Sequence, residues 1–235
     1  MLQVKNITKS YPGKPNALLN VEFEVKSGEV CGLIGQNGAG KSSIIRSIIG
    51  AQDVDAGEIY IEGKSMKQET LICKKALGYI PDNQALYPYL TGRQYINFVS
   101  DIHRVSIKDR EQHVERYTAL LGMEDAYEKV ISSYSKGMKQ KLLIIAALIH
   151  NPRLIIMDEP FSGLDPVTVE QLKEIIKQES KKGTAVLFSS HMLEIAEKIC
   201  TQIVMIKEGI VVVDENIREK REQGRLENLF FGRTV

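Results

Sequence analysis

The chain has 235 residues, 43% apolar and 26% charged, a balance that excludes a disordered tail and suits one large domain or two lobes around a shared core. Thirty-one basic residues oppose 30 acidic ones, so no broad positive field exists to hold nucleic acid or an anionic bilayer, and any phosphate must be met locally. The three cysteines are far apart, the N-terminus MLQVKNITKSY lacks a basic-then-apolar leader, and the longest apolar run, LLIIAALI at 142–149, falls short of the ~20 residues that cross a bilayer, which together imply a reducing cytoplasm and no membrane span.

In chain order, LQVKNITKSY, LLNVEFEV and EVCGLIG alternate as strands do, with Pro12, Gly13, Pro15, Ser27 and Gly28 at the turns, and predict a small antiparallel sheet leading into a buried strand. A glycine-rich loop follows. Beyond it Ile44, Ile45, Ile48 and Ile49 recur at helical spacing, and Gly50 stands where a helix would be capped. Residues 91–150 are polar with apolar positions at helical spacing, which predicts a helical insert. From 153 onward the short apolar runs RLIIMDEP, TAVLFSS and QIVMIKEG alternate with the helical stretches VTVEQLKEIIKQESKKG and MLEIAEKI, the pattern of a parallel sheet covered on both faces. The charged end NIREKREQGRLENLF is expected to form a peripheral helix.

Two stretches carry chemistry on their own residues. Gly35-Gln36-Asn37-Gly38-Ala39-Gly40-Lys41-Ser42 fits the pattern G-x-x-x-x-G-K-[ST] between a predicted strand and a predicted helix. Its glycines let backbone N–H groups turn inward around a polyphosphate, and the helix N-terminus adds partial positive charge. Gly35, Asn37, Gly38, Ala39, Gly40, Lys41, Ser42 and Ser43 are therefore expected to bind nucleotide, with Lys41 reaching the β- and γ-phosphates and Ser42 ligating Mg²⁺. In LIIMDEP, Asp158 and Glu159 place two carboxylates at the end of an apolar strand, where a nucleotide-bound Mg²⁺ would offset their charge. Asp158 would contact the metal, and Glu159 would polarise the water that attacks the γ-phosphate.

With these residues in place, the chain resembles the ATP-binding cassette family over nearly its whole length. YSKGMKQK at 134–141 looks like the family's signature segment, SGLDP at 162–166 like its D-loop, His191 in LFSSHMLE like its switch histidine, and Tyr11 in KSYPG like the aromatic that stacks on adenine. The resemblance implies an α/β P-loop NTPase with a RecA-like core, an N-terminal antiparallel β subdomain and an inserted α-helical subdomain. The whole chain, 1–235, would be one nucleotide-binding domain, with core and β subdomain at 1–90 and 151–235 and helices at 91–150. It further implies that two cassettes, expected to be identical chains, close head to tail over two ATP molecules. Ser135 and Gly137 of one chain would then face the γ-phosphate held by Lys41 of the other, with Asp165 acting across the interface and His191 touching the γ-phosphate. Ser135 also suits the N-cap of the helix that follows it. Tyr11→Ala is expected to weaken ATP binding, and Tyr11→Phe to leave it unchanged.

Two stretches depart from the family pattern. Where the signature usually reads Leu-Ser-Gly-Gly-Gln, Tyr134, Lys136 and Met138 replace its first, third and fifth residues, and Ser135 and Gly137 remain. Where the family has glutamine directly after a proline, as a metal and water contact, this chain has Asp82 after Pro81 and Gln84 two positions later, so both stand as candidates. Such variants resemble cassettes of exporters that have a separate permease. The expected function is thus an ATPase subunit at the cytoplasmic face of the cell membrane, using ATP and Mg²⁺ to drive export through a permease and binding no nucleic acid. The cluster ALYPYL at 85–90 is expected to meet that permease. A P-loop ATPase of a soluble complex, or a small-molecule kinase, is the competing reading.

Overall fold

The computed structural model describes residues 1–217, so the charged C-terminal stretch expected to be a peripheral helix lies, from residue 218, outside the described residues. The elements run β1 (Leu2–Tyr11), β2 (Lys14–Val25), β3 (Val30–Ile34), α1 (Lys41–Ile48), β4 (Ala56–Ile61), β5 (Lys64–Ser65), α2 (Thr70–Lys75) and β6 (Leu77–Ile80). Then follow α3 (Gly92–Ile102), α4 (Ile107–Leu121), a short 3₁₀ turn at Ile131–Ser133, α5 (Lys136–Leu148), β7 (Leu154–Met157), α6 (Pro166–Lys181), β8 (Ala185–Ser190), α7 (Leu193–Ile199), β9 (Gln202–Lys207) and β10 (Ile210–Asn216).

These strands form two sheets. One is antiparallel, ordered β2-β1-β4-β5; the other is ordered β10-β9-β3-β8-β7-β6, parallel throughout except for its edge strand β10. Side chains of the parallel sheet alternate between two separate cores, as the period of a strand requires. Val30 of β3, Ile155 and Met157 of β7, and Val186 and Phe188 of β8 face the helices of the insert together with α6 and α7. Their neighbours Cys31, Leu33, Leu154, Ile156, Ala185 and Leu187 face α1 and the antiparallel sheet, where Leu2, Val4, Ile7, Val21 and Phe23 are buried. The result is a RecA-like core with an N-terminal β subdomain on one face and an inserted α-helical subdomain on the other.

The insert is tied down by buried polar contacts as well as by apolar packing. Tyr134, where the family usually has leucine, is buried and donates its hydroxyl to the Ala126 carbonyl at 2.7 Å. Gly92 makes room for it, because a Cβ there would lie 2.4 Å from that hydroxyl. On the far side, Glu179 of α6 is buried and accepts from Tyr117 of α4 at 3.0 Å and from Lys182 at 2.6 Å. Burial, followed by the Glu179 charge, raises the Tyr117 phenol well above its ordinary value.

Candidate functional site

The C-terminal ends of β3, β8 and β7, neighbours in the sheet, carry the polar residues that the sequence singles out. In open α/β sheets this is the edge at which ligands bind. The loop leaving β3 closes tightly. A Cβ at Gly35 would meet the Ile206 carbonyl oxygen at 2.5 Å, and Gly40, at φ +115°, would drive one into Leu18 at 2.8 Å. Gly40 therefore turns the chain into α1 in a backbone region that side chains rarely enter. Gln36, Asn37 and Gly38 are exposed at the tip, whereas Ala39 is buried beneath them.

Lys41 is 6% exposed and folds back onto its own loop, donating to the carbonyls of Gly35 at 2.7 Å and Gln36 at 3.3 Å. Its ammonium also lies 3.3 Å from the Glu159 carboxylate. Glu159 adopts φ +46°, uncommon for a residue with a side chain, and its N–H donates to Ser189 Oγ at 2.8 Å. This turn brings the second Glu159 oxygen to 2.9 Å from His191 Nδ1. Ser189 in turn donates to Asp158 at 2.7 Å, and the same Asp158 oxygen stands 3.5 Å from Ser42 Oγ. The structure thus brings Lys41, Ser42, Asp158, Glu159 and His191 together, with Ser189 linking the Asp158 carboxylate to the Glu159 backbone N–H.

Ser189 is the residue that sequence reasoning missed. Its signal was a pair of serines closing the otherwise apolar run TAVLFSS, where a buried hydroxyl needs a partner.

Ser42 and Asp158 offer two hard oxygens at a separation long for a strong hydrogen bond. Among the described residues no group of three or more His, Cys, Asp or Glu side chains could hold a metal ion. A cation here would draw its remaining ligands from substrate phosphates and water, which suits Mg²⁺ rather than a metal held in an all-protein cage.

The other expected residues lie apart from this group. Ser135 is exposed and caps α5, accepting the Met138 N–H at 3.2 Å, and Gly137 behind it leaves open space, with only Ser135 Oγ, at 4.0 Å, near a would-be Cβ. Asp165 caps α6 through Thr168, and those hydrogen bonds hold its carboxyl below the usual carboxylate range. Gln84 donates to Gln140 of α5 at 2.9 Å, joining its loop to the insert. Asp82 is exposed beside a small cavity that Lys136 and Lys139 also line. Neither Asp82 nor Gln84 hydrogen-bonds Ser42, Asp158 or Glu159. Tyr11 stands at the end of β1 with its hydroxyl 2.7 Å from Gln52 Oε1 and 3.0 Å from Ser43 Oγ.

A family model described as ABC transporter matches residues 18–162. The chain belongs to this family. It is 35% identical over 212 residues to the linearmycin resistance ATP-binding protein LnrL of Bacillus subtilis (strain 168), covering 90% of this chain and 68% of that protein. To the ABC-type transporter ATP-binding protein EcsA of the same organism it is 35% identical over 223 residues, covering 95% of this chain and 90% of that one. Among solved structures, an ATP-binding subunit of an ABC transporter superposes with TM-score 0.93 at 32% identity, covering all of both chains. A dimeric bacterial ABC transporter cassette superposes with TM-score 0.84 at 26% identity over 93% of this chain and 99% of that one. The cassette is therefore an ATP-binding and ATP-hydrolysing subunit of the ABC transporter family. Among the described residues no helix is long and apolar enough to cross a membrane.

Proposed function

We propose that this cassette, paired with an identical copy at the cytoplasmic face of the membrane, powers export through a separate permease. The observation that carries the permease reading is a groove of about 450 Å³ between the core and the helical insert, lined by Leu71, Tyr79, Tyr95, Val99 and Ile102. Two of its large apolar side chains are exposed, Leu71 to 77% and Ile102 to 61%, more than an ordinary surface leaves bare in one place. The loop 85–90 divides between two roles: Leu86 and Leu90 pack against the core, while Tyr87 and Tyr89 remain exposed, Tyr87 resting edge-on against Phe98. A short amphipathic helix of a membrane partner fits such a surface. Outward direction is supported by the likeness to LnrL, a resistance protein.

The chemistry follows from the strand-end residues. Lys41 exchanges its loop carbonyls for the β- and γ-phosphates, while Tyr11 provides a wall for adenine. Ser42 and Asp158 would hold Mg²⁺, with Gln84 or Asp82 reaching it through water, and the ion would neutralise charge on the phosphates. Glu159, released from Lys41, accepts a proton from the attacking water. His191, with Nδ1 against Glu159, presents Nε2 toward the γ-phosphate. Ser135 and Gly137 close the site from the partner cassette, their helix N-terminus directed at phosphate charge, and Asp165 meets the partner nearby.

Tyr87→Ser combined with Tyr89→Ser tests the permease reading. The isolated subunit should keep its melting temperature and basal ATP hydrolysis and lose co-purification with the membrane protein. Normal co-purification would defeat the reading.

A further inference from the structure

Tyr11 is expected to stack on adenine through its ring alone, yet its hydroxyl is the centre of a closed hydrogen-bond cycle on the first turns of α1. The Gln52 side-chain amide donates from Nε2 to the Ser43 carbonyl at 2.9 Å and to Ser47 Oγ at 3.0 Å. Both partners need a donor, which fixes the amide orientation and leaves Oε1 facing Tyr11 as a pure acceptor. The single Tyr11 proton therefore goes to Gln52, at 2.7 Å, and the phenol oxygen accepts from Ser43 Oγ at 3.0 Å. Ser47 donates to the Ser43 carbonyl at 3.0 Å and closes the cycle. All these groups are half-buried or buried, so water competes weakly for them. Ser43 lies directly after Lys41 and Ser42, so the cycle joins the Tyr11 ring to the helix turn that carries the phosphate-binding side chains.

We propose that Gln52 is a positioning residue for nucleotide binding: it holds the Tyr11 ring against the start of α1, so that the wall for adenine stands in place before nucleotide arrives. An aromatic ring at the half-exposed end of β1 would otherwise sample several rotamers, and binding would have to order it. The inference rests on the reading of Tyr11 as the adenine wall. It also reverses one expectation from the sequence, because Tyr11→Phe removes the hydroxyl by which Gln52 holds the Tyr11 ring.

The test is titration calorimetry of ATP and of inorganic tripolyphosphate, which has the phosphates without the base, against the wild type, Gln52→Leu, Tyr11→Phe, the double variant and Tyr11→Ala. Losing the Tyr11–Gln52 hydrogen bond, the one that both variants remove, should weaken ATP binding by about three- to tenfold in Gln52→Leu and in Tyr11→Phe. The double variant should lose no more than either single one. Tripolyphosphate affinity should not change, and in steady-state hydrolysis the KM for ATP should rise in Gln52→Leu while kcat holds. Equal losses for ATP and tripolyphosphate would mean that Gln52 braces α1 instead, and additive losses in the double variant would mean that it acts apart from Tyr11; either overturns the inference. Unchanged ATP affinity in Gln52→Leu, with a clear loss in Tyr11→Ala, defeats the role of Gln52 and leaves the adenine wall standing. Unchanged affinity in Tyr11→Ala defeats both. Should Gln52→Leu fold poorly, Tyr11→Phe tests the same hydrogen bond from its other end.

Discussion

The strand-end residues and the helical insert carry complementary parts of the cassette, and they are held in opposite ways. At the ends of β3, β7 and β8, Lys41, Asp158 and Ser189 are buried, and each is fixed by at least one partner from another strand or loop. On the insert, Ser135 is exposed and Gly137 faces open space, and the Ser135 side chain caps its own helix by accepting the Met138 N–H. A site assembled within one chain can use buried charge, because the partners that neutralise it arrive with folding. Ser135 and Gly137, proposed to serve a second chain, instead lie at an exposed helix end that such a chain could still reach.

That contrast breaks first at Lys41. Lys41→Ala should abolish measurable ATP binding in calorimetry, since Lys41 is the buried cation of the loop, whereas Lys14, which donates to the Gly38 carbonyl at 3.1 Å, is exposed. It should also leave Glu159 without its ammonium partner, so retained ATP affinity would show that the backbone loop alone holds the phosphates.

A smaller but still large effect is expected at Glu159. Glu159→Gln should keep ATP binding and slow hydrolysis by ~10² to 10⁴, the usual loss when a positioned proton acceptor is removed. With ATP present the variant should elute from gel filtration as a stable dimer. Full turnover would remove Glu159 from its proposed role.

The third effect sharpens the comparison from the insert. Ser135→Ala should leave ATP binding to the isolated subunit unchanged and weaken ATP-dependent dimer formation by about tenfold, as loss of one hydrogen bond to a charged group does. If Ser135 were only a helix cap, melting temperature would fall and the dimer constant, measured by sedimentation, would hold. Since Glu159→Gln should trap the dimer, adding Ser135→Ala to it shows directly whether closure depends on the exposed group.

Much of this was legible in the residues. The phosphate loop is a local object: its glycines fix unusual backbone angles over eight positions, and strand and helix periods on either side are local too. The same holds for Asp158 and Glu159, whose strand ends after Met157 because the apolar run Leu154–Met157 gives way there to two carboxylates. Residues 51–80, by contrast, hold β4, β5, α2 and β6 without a pattern from which the sequence reading assigned them. Their short strands take shape from neighbours, β4 from β1 and β6 from β7, and carry little period of their own. The C-terminal edge strand β10, antiparallel in an otherwise parallel sheet, was likewise absent from that reading.

By itself, the sequence determined a phosphate-binding loop between strand and helix, a carboxylate pair at a strand end, and an alternation that demanded a sheet buried on both faces. Each of these depends on residues a few positions apart, where backbone preference and side-chain period act directly. Only the tertiary structure decided which strands would be neighbours. That order sets β8 between β3 and β7 and so makes Ser189 the link between Asp158 and the Glu159 backbone. It also brings Ser42 to Asp158 across 116 residues, Gln84 to Gln140 across 56 and Tyr11 to Gln52 across 41. Partners this far apart in sequence are chosen by how whole elements pack, since hydrophobic burial, which drives that packing, has no direction and names no particular pair.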